Sequence, residues 1–292
     1  MSAIPPQASW TLPTEMNSQE ITAKSKSNFI LSFLLLPKAR RQGMVNFYAL
    51  SRVIDDAVDD YEISEAKVYL NFWKKEIEAC YSGQPTHPIT QAMQETIQTF
   101  KIPKNYLDLL IEGCEQDLYK KKYNSLTELR EYCFRVASVI GLISMKIFGV
   151  HGKISEEAAE EMGLALQYTN ILRDIAEDAK IGRIYLPQED IKRYRLSEEQ
   201  VTQGKPFDKK LKILLKLQAD RAETHFEKAF TLMRKLPRRP LVAAWIMGKV
   251  YYKILKKIRA KHYNIYSKKI KISKLSKLWI LLSESIKSIF FK

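Results

Sequence analysis

The chain is poor in residues that interrupt secondary structure: its 292 residues include only 10 Gly and 11 Pro. Four of the prolines (Pro5, Pro6, Pro13 and Pro37) fall early, so the interior consists of long uninterrupted segments, which favours helix. Cysteine is scarce. Cys80, Cys114 and Cys133 sit in apolar periodic segments with no CxxC pair, which excludes a disulfide or zinc framework and fits a reducing compartment. No run of 18 apolar residues exists, so no membrane-spanning helix is expected. The start, MSAIPPQASWTLPTEMNSQE, lacks the basic and apolar regions of a signal peptide, and a cytoplasmic protein is expected. Acid is almost missing from one region: between Lys249 and Lys292 thirteen Lys and Arg face a single acid, Glu284, which accounts for +12 of the net +15. Charge that concentrated suits an anionic surface, membrane or nucleic acid.

A hydrophobic fraction of 46% supports a substantial core. Residues 1–20, rich in Pro, Ser and Thr, read as a flexible arm. NFILSFLLLP reads as a short apolar helix stopped at Pro37. Helical periodicity follows over about 38–60, 64–82, 87–100, 103–123, 125–148, 155–180, 208–234 and 238–262. One irregular connection after Gly182 is expected to hold a short helix. No strand alternation or internal repeat appears, and the fold class is all-α with one domain.

The stretch YALSRVIDDAVDDYE places four aspartates within six positions of an otherwise apolar helix. At about 100° per residue, Tyr48, Asp59 and Arg52 fall at about 20°, 40° and 60° from Asp55, one narrow stripe, with Asp56 and Asp60 beside it. A second stripe lies in LQYTNILRDIAEDAKIGRIYLP. From Asn170, Asp174, Gln167 and Asp178 fall at about 40°, 60° and 80°. Arg173 and Glu177 have the spacing of a local ion pair. One such cluster reads equally well as a solvated face. Two clusters, each embedded among apolar residues and each with Asp at i,i+4, point instead to a hard cation held by oxygen ligands. Mg²⁺ bridging both helices to a diphosphate satisfies that pattern.

These motifs resemble the squalene/phytoene synthase family of head-to-head prenyl synthases. RVIDDAVDD resembles its first aspartate-rich motif and NILRDIAEDAKIGRIYLP its longer second signature. SKSNFILSFLLLP, REYCFRVASVIG and VYYKILKKIRAKHYNIYSKKIKI extend the resemblance over roughly residues 25–272. It implies a single isoprenoid-synthase-type helical bundle around a central cavity, with a catalytic domain at 21–272. It also implies Mg²⁺ or Mn²⁺ on Asp55, Asp59, Asn170, Asp174 and Asp178. Arg52, Arg183, Gln167, Ser25 and Ser27 would meet diphosphate. Tyr48, Tyr132 and Tyr251 would line the reacting centre together with Arg52, and Phe29, Phe33, Val136 and Gly141 the cavity. Core packing is the simpler account of any one of these aromatics, and tight helix packing of VASVIG. Asp117 matches a family acidic position, although an exposed helix end explains it too.

The implied reaction joins two farnesyl diphosphates into presqualene diphosphate, on a squalene or hopanoid route. The alternative is phytoene from two geranylgeranyl diphosphates, on a carotenoid route. With no GxGxxG turn, NADPH is not expected. A nucleic-acid binder would not carry two acidic stripes, a non-catalytic helical relative should have lost metal ligands, and the run to GRIYLP points away from chain-elongating enzymes. The basic end, residues 273–292, closes on KLWILLSESIKSIFF. There Trp279, Ile280, Leu281, Leu282, Ile286, Ile289 and Phe290 offer apolar surface among lysines, as in an amphipathic helix on anionic lipid.

Overall fold

A computed structural model describes residues 17–24 and 30–290, without the side chains of Lys24 and Leu31. The described residues form helices and connecting turns, with one isolated β-bridge between Lys122 and Ile184. In order these are α1 (Ser18–Lys24), α2 (Ile30–Phe33), α3 (Lys38–Asp59), α4 (Ile63–Ser82), α5 (Pro88–Phe100) and α6 (Lys104–Tyr119). Next come α7 (Leu126–Cys133), a π-helical segment (Phe134–Ser138) and α8 (Val139–Phe148). They are followed by α9 (Lys153–Lys180), α10 (Gln188–Arg193), α11 (Glu198–Gln203), α12 (Lys209–Met233), α13 (Val242–Ala260) and α14 (Lys274–Phe290).

The aspartates of α3 do not prevent its folding, because its other face is strongly apolar. Phe47, Leu50, Val53, Ile54, Ala57 and Val58 are buried along one side. A large buried side chain contributes about 1.5–3 kcal/mol, against a few tenths for each like-charge pair. α9, 28 residues long, lies along α12 and against α8 and the π segment. At about 1.5 Å per residue such a helix crosses the whole domain. Glycine makes the closest approach possible: a Cβ on Gly163 would stand 2.4 Å from Ser138 Cα. α9 ends in a turn at Gly182, whose φ of +74° suits only a residue free of Cβ crowding. The chain then clips to the segment after α6, with Ile184 donating to the Lys121 carbonyl and Gln188 to that of Tyr123, both at 2.8 Å. The buried Asp190 of α10 is held by Arg221 and Gln218 of α12.

Several expectations change. α1 begins at Ser18 with Ser18, Ile21 and Thr22 buried, so the proposed arm gives way to packed helix before residue 20. Among the described residues the helix over NFILSFLLLP covers Ile30–Phe33, and Leu34 and Leu35 are exposed beyond it. The segment 125–148 is helical throughout but carries five π-helical residues. The connection after Gly182 holds two short helices rather than one. All three cysteines are buried and free, as their apolar settings require. No helix among the described residues is long and apolar enough to cross a membrane.

Candidate active site

Each acidic stripe sits at the end of a helix anchored by its apolar face. On α3, Asp55 Oδ2 accepts from Arg52 Nη1 at 3.3 Å, and Asp56 pairs with the same guanidinium. Asp59 Oδ1 accepts from Arg183 Nη1 at 2.9 Å. That bond joins the first stripe to the turn that ends the second helix, 124 residues later. Arg183 is only 9% exposed and well placed by Gly182, its N–H bonding the Asp178 carbonyl at 2.9 Å.

Asp55 combines two properties that rarely coincide. Its side chain is 53% exposed. Yet enclosure by protein, then the charge of Asp59, raises its pKa to about 7. Asp178 is half-buried, and burial followed by repulsion from Asp174 lifts it to about 7 as well. Burial also raises Asp56 and Asp117.

On α9, Arg173 binds Asp174 (Nε to Oδ1, 2.8 Å) and not Glu177, contrary to the expected i,i+4 pair. Lys269, from the segment after α13, stands 3.6 Å from both Asp174 and Glu177. Asn170 and Arg173 both hydrogen-bond Tyr251, which is buried on α13. Gln167 lies half-buried one turn before Asn170. Tyr48 packs edge-on against the buried Phe33, with ring centroids 6.4 Å apart.

Asp117 is not at an exposed helix end. It is buried, accepting from Tyr132 Oη at 2.7 Å and from Tyr185 Oη at 3.0 Å. Tyr123, Tyr132 and Tyr185 form one aromatic cluster around it, with centroids 5.2–5.8 Å apart. Tyr132 thus donates to Asp117, and Tyr185, which the sequence reading overlooked, does the same. Asp117 was readable: it shares a helix face with the buried Leu110 and Cys114. Lys269 had no comparable signal beyond the basic run.

The cavity assignments divide. Phe33 is buried beside Tyr48. Val136 is half-buried and lies over Gly113 of α6, where an added Cβ would come within 2.7 Å of its Cγ1. Gly141 does not open a cavity. A Cβ there would stand 2.8 Å from the Ala159 carbonyl oxygen, so its role is close packing of α8 on α9. Ser25, Ser27 and Phe29 lie outside the described residues.

Among the described residues no three His, Cys, Asp or Glu side chains converge as a ready cation cage. The donor set nevertheless fits a hard divalent ion. It is built of oxygens, and two of its carboxylates are pushed towards neutrality by burial and mutual repulsion. Asn170 Oδ1 is buried with no hydrogen-bond partner among the described residues, an acceptor left over beside acids.

Comparison with known proteins shows the family. The family model for squalene/phytoene synthase matches residues 22–276. The chain is 33% identical to 15-cis-phytoene synthase of Synechocystis sp. over 90% of its own length and 82% of that protein's. It is 34% identical to presqualene diphosphate synthase of Zymomonas mobilis over 99% of both chains. A dehydrosqualene synthase crystal structure superposes with a TM-score of 0.83 at 26% identity, covering 94% of this chain and 95% of that one. With two acid-bearing helices linked through Arg183 and a family match over most of its length, the chain belongs to the squalene/phytoene synthase family of prenyltransferases.

Proposed function

We propose that this enzyme condenses two farnesyl diphosphates head to head into presqualene diphosphate. The observation that carries the reaction class is the paired acidic helices with the unpartnered Asn170 Oδ1. The choice of farnesyl over geranylgeranyl is supported by the end-to-end match to the Zymomonas presqualene diphosphate synthase. Synthesis of phytoene is the second reading, favoured by the similarity to phytoene synthases.

Asp55, Asp59, Asn170, Asp174 and Asp178 would hold Mg²⁺ or Mn²⁺, which when bound neutralises charge developing on the leaving diphosphate. Arg52 and Arg183, each now paired with aspartate, present planar guanidinium groups that bind diphosphate oxygens bidentately. Gln167 donates to the same group from its place one turn before Asn170. Ser25 and Ser27 are further candidates for it. Tyr48, Tyr132 and Tyr251 turn aromatic faces to the allylic cation, which they stabilise without capturing it. Asp117 fixes the Tyr132 ring through its hydroxyl. Phe33, with Phe29 and Val136, keeps water from the cation, which would otherwise be quenched. The condensation to the cyclopropyl diphosphate is redox-neutral, so NADPH has no part in it. The enzyme works in the cytoplasm, with its basic C-terminal region in peripheral contact with anionic membrane.

The test is mass spectrometry of products from purified protein with Mg²⁺ and without NADPH, offering farnesyl and geranylgeranyl diphosphate separately. Presqualene diphosphate from farnesyl diphosphate is the expected product. Phytoene from geranylgeranyl diphosphate alone would replace this reading by the second.

A further inference from the structure

α14 is built the wrong way round for a helix that covers a core. Taking Leu275 as zero, Leu278, Trp279, Leu282, Ile286, Ile289 and Phe290 fall between about 300° and 60°, one stripe about 120° wide. Every one of them is exposed, from 48% at Leu282 to 79% at Leu275. The opposite face, near 180°, is the one that docks, and it is partly polar. Glu284 there is buried, paired with Arg238 and, at 3.0 Å, with Lys287. Arg238 in turn lies over the Trp245 ring of α13. Ile280 is buried beside them, and Lys253 of α13 donates to Ser276 at 3.0 Å. A buried carboxylate held by two cations fixes the helix's rotation, because turning it outward-in would strand Arg238 and Glu284.

We infer that α14 is an interfacial helix, oriented by its Glu284–Arg238 anchor, whose Leu275-to-Phe290 stripe enters the surface of an anionic bilayer. The exposed stripe is contiguous, with Trp279 and Phe290 among its members, as an interface-seeking helix requires. Lys274 borders it, and Lys256, Lys257 and Lys271 are exposed nearby on α13 and the segment before α14. A second copy of this chain is the poorer occupant, since it would bring two regions of +12 together. At 17 residues α14 lies on a bilayer and does not cross it. The inference rests on the proposed function for its purpose, since a prenyl product with two long apolar chains is most readily released into lipid.

The test uses the full chain with vesicles containing about a third phosphatidylglycerol, set against neutral phosphatidylcholine vesicles. Trp279→Glu with Leu282→Glu changes two exposed positions and should leave the circular dichroism spectrum and product formation from detergent-dispersed substrate unchanged. Wild type should sediment with the anionic vesicles, and this variant should lose at least about tenfold in partitioning. Lys274→Glu, which leaves the apolar stripe intact, should weaken binding less and flatten its salt dependence. Equal sedimentation of wild type and the double variant would overturn the inference, as would a wild-type dimer in light scattering that the double variant dissolves. Loss of product formation in detergent by wild type would instead sink the functional reading and leave the vesicle result standing.

Discussion

Asp55 and Trp279 stand at opposite extremes of the same molecule. Asp55 carries a carboxylate into an enclosure of protein that lifts its pKa to about 7. Trp279 carries an indole into water with 70% of its surface exposed. α14 turns an apolar stripe outward, whereas α3 buries its apolar side and crowds like charges on the other; in both the cost falls on residues outside the core. α3 would be more stable with fewer like charges in its acidic stripe, and α14 more soluble with lysines in its apolar one. Stability given up at a cluster of positions marks a missing partner. The partners proposed above are a hard cation at the acidic helices and lipid at the C-terminal helix.

The comparison breaks most visibly at Asp178. Asp178→Ala should reduce kcat for product formation about a thousandfold, the scale expected when a group stabilising transition-state charge is lost. The same variant should melt higher than wild type in EDTA at pH 8, because it removes a half-buried charge repelled by Asp174. Activity and differential scanning calorimetry on one preparation check both. An unchanged kcat would separate the acidic stripe from catalysis, and a lower melting temperature would show Asp178 to be structural. A smaller effect is expected where the acid is satisfied. Asp117→Ala leaves the buried hydroxyls of Tyr132 and Tyr185 without their acceptor, at about 1–3 kcal/mol for each. Urea unfolding should show that loss, and Asp117→Asn, which keeps an acceptor oxygen, should recover much of it.

The stripes were readable because their members lie three or four residues apart on single helices, where angular arithmetic is enough. Asp55, Asp59, Asn170, Asp174 and Asp178 needed no tertiary information. What joins the stripes did need it. Arg183 meets Asp59 across 124 residues, and Tyr185 meets Asp117 across 68, contacts set by the Gly182 turn and its clip to the segment after α6. Gly141 stood between two readings for the same reason, since small side chains in a helix serve a cavity or a close neighbour equally well, and the position of Ala159 favours the second. Arg173 was assigned by spacing to Glu177, but the neighbouring Asp174 takes it and Lys269 arrives from another segment. At the C-terminus the amphipathic pattern was evident. Which face docks was not, because it depends on Arg238 reaching Glu284.

The finest test of the contrast is pH. Asp55 and Asp178 each titrate near 7 in the fold, against an ordinary carboxylate value near 4. Between those values the folded protein binds more protons than the unfolded chain, so stability falls as pH rises across that window. In EDTA the melting temperature should therefore decline from pH 5 to pH 7.5, by a few degrees because the half-exposed Asp55 is partly screened by water. Asp55→Asn should flatten the decline, since an amide does not titrate. Mg²⁺ should flatten it too, because a bound cation holds both carboxylates ionised and its binding then releases protons as it tightens with pH. Trp279→Glu offers the control: its position has no part in the enclosure, so the slope in EDTA should match wild type. A flat profile for wild type would mean that the two carboxylates are as well solvated as any on the surface, and the contrast with α14 would disappear from the acidic side.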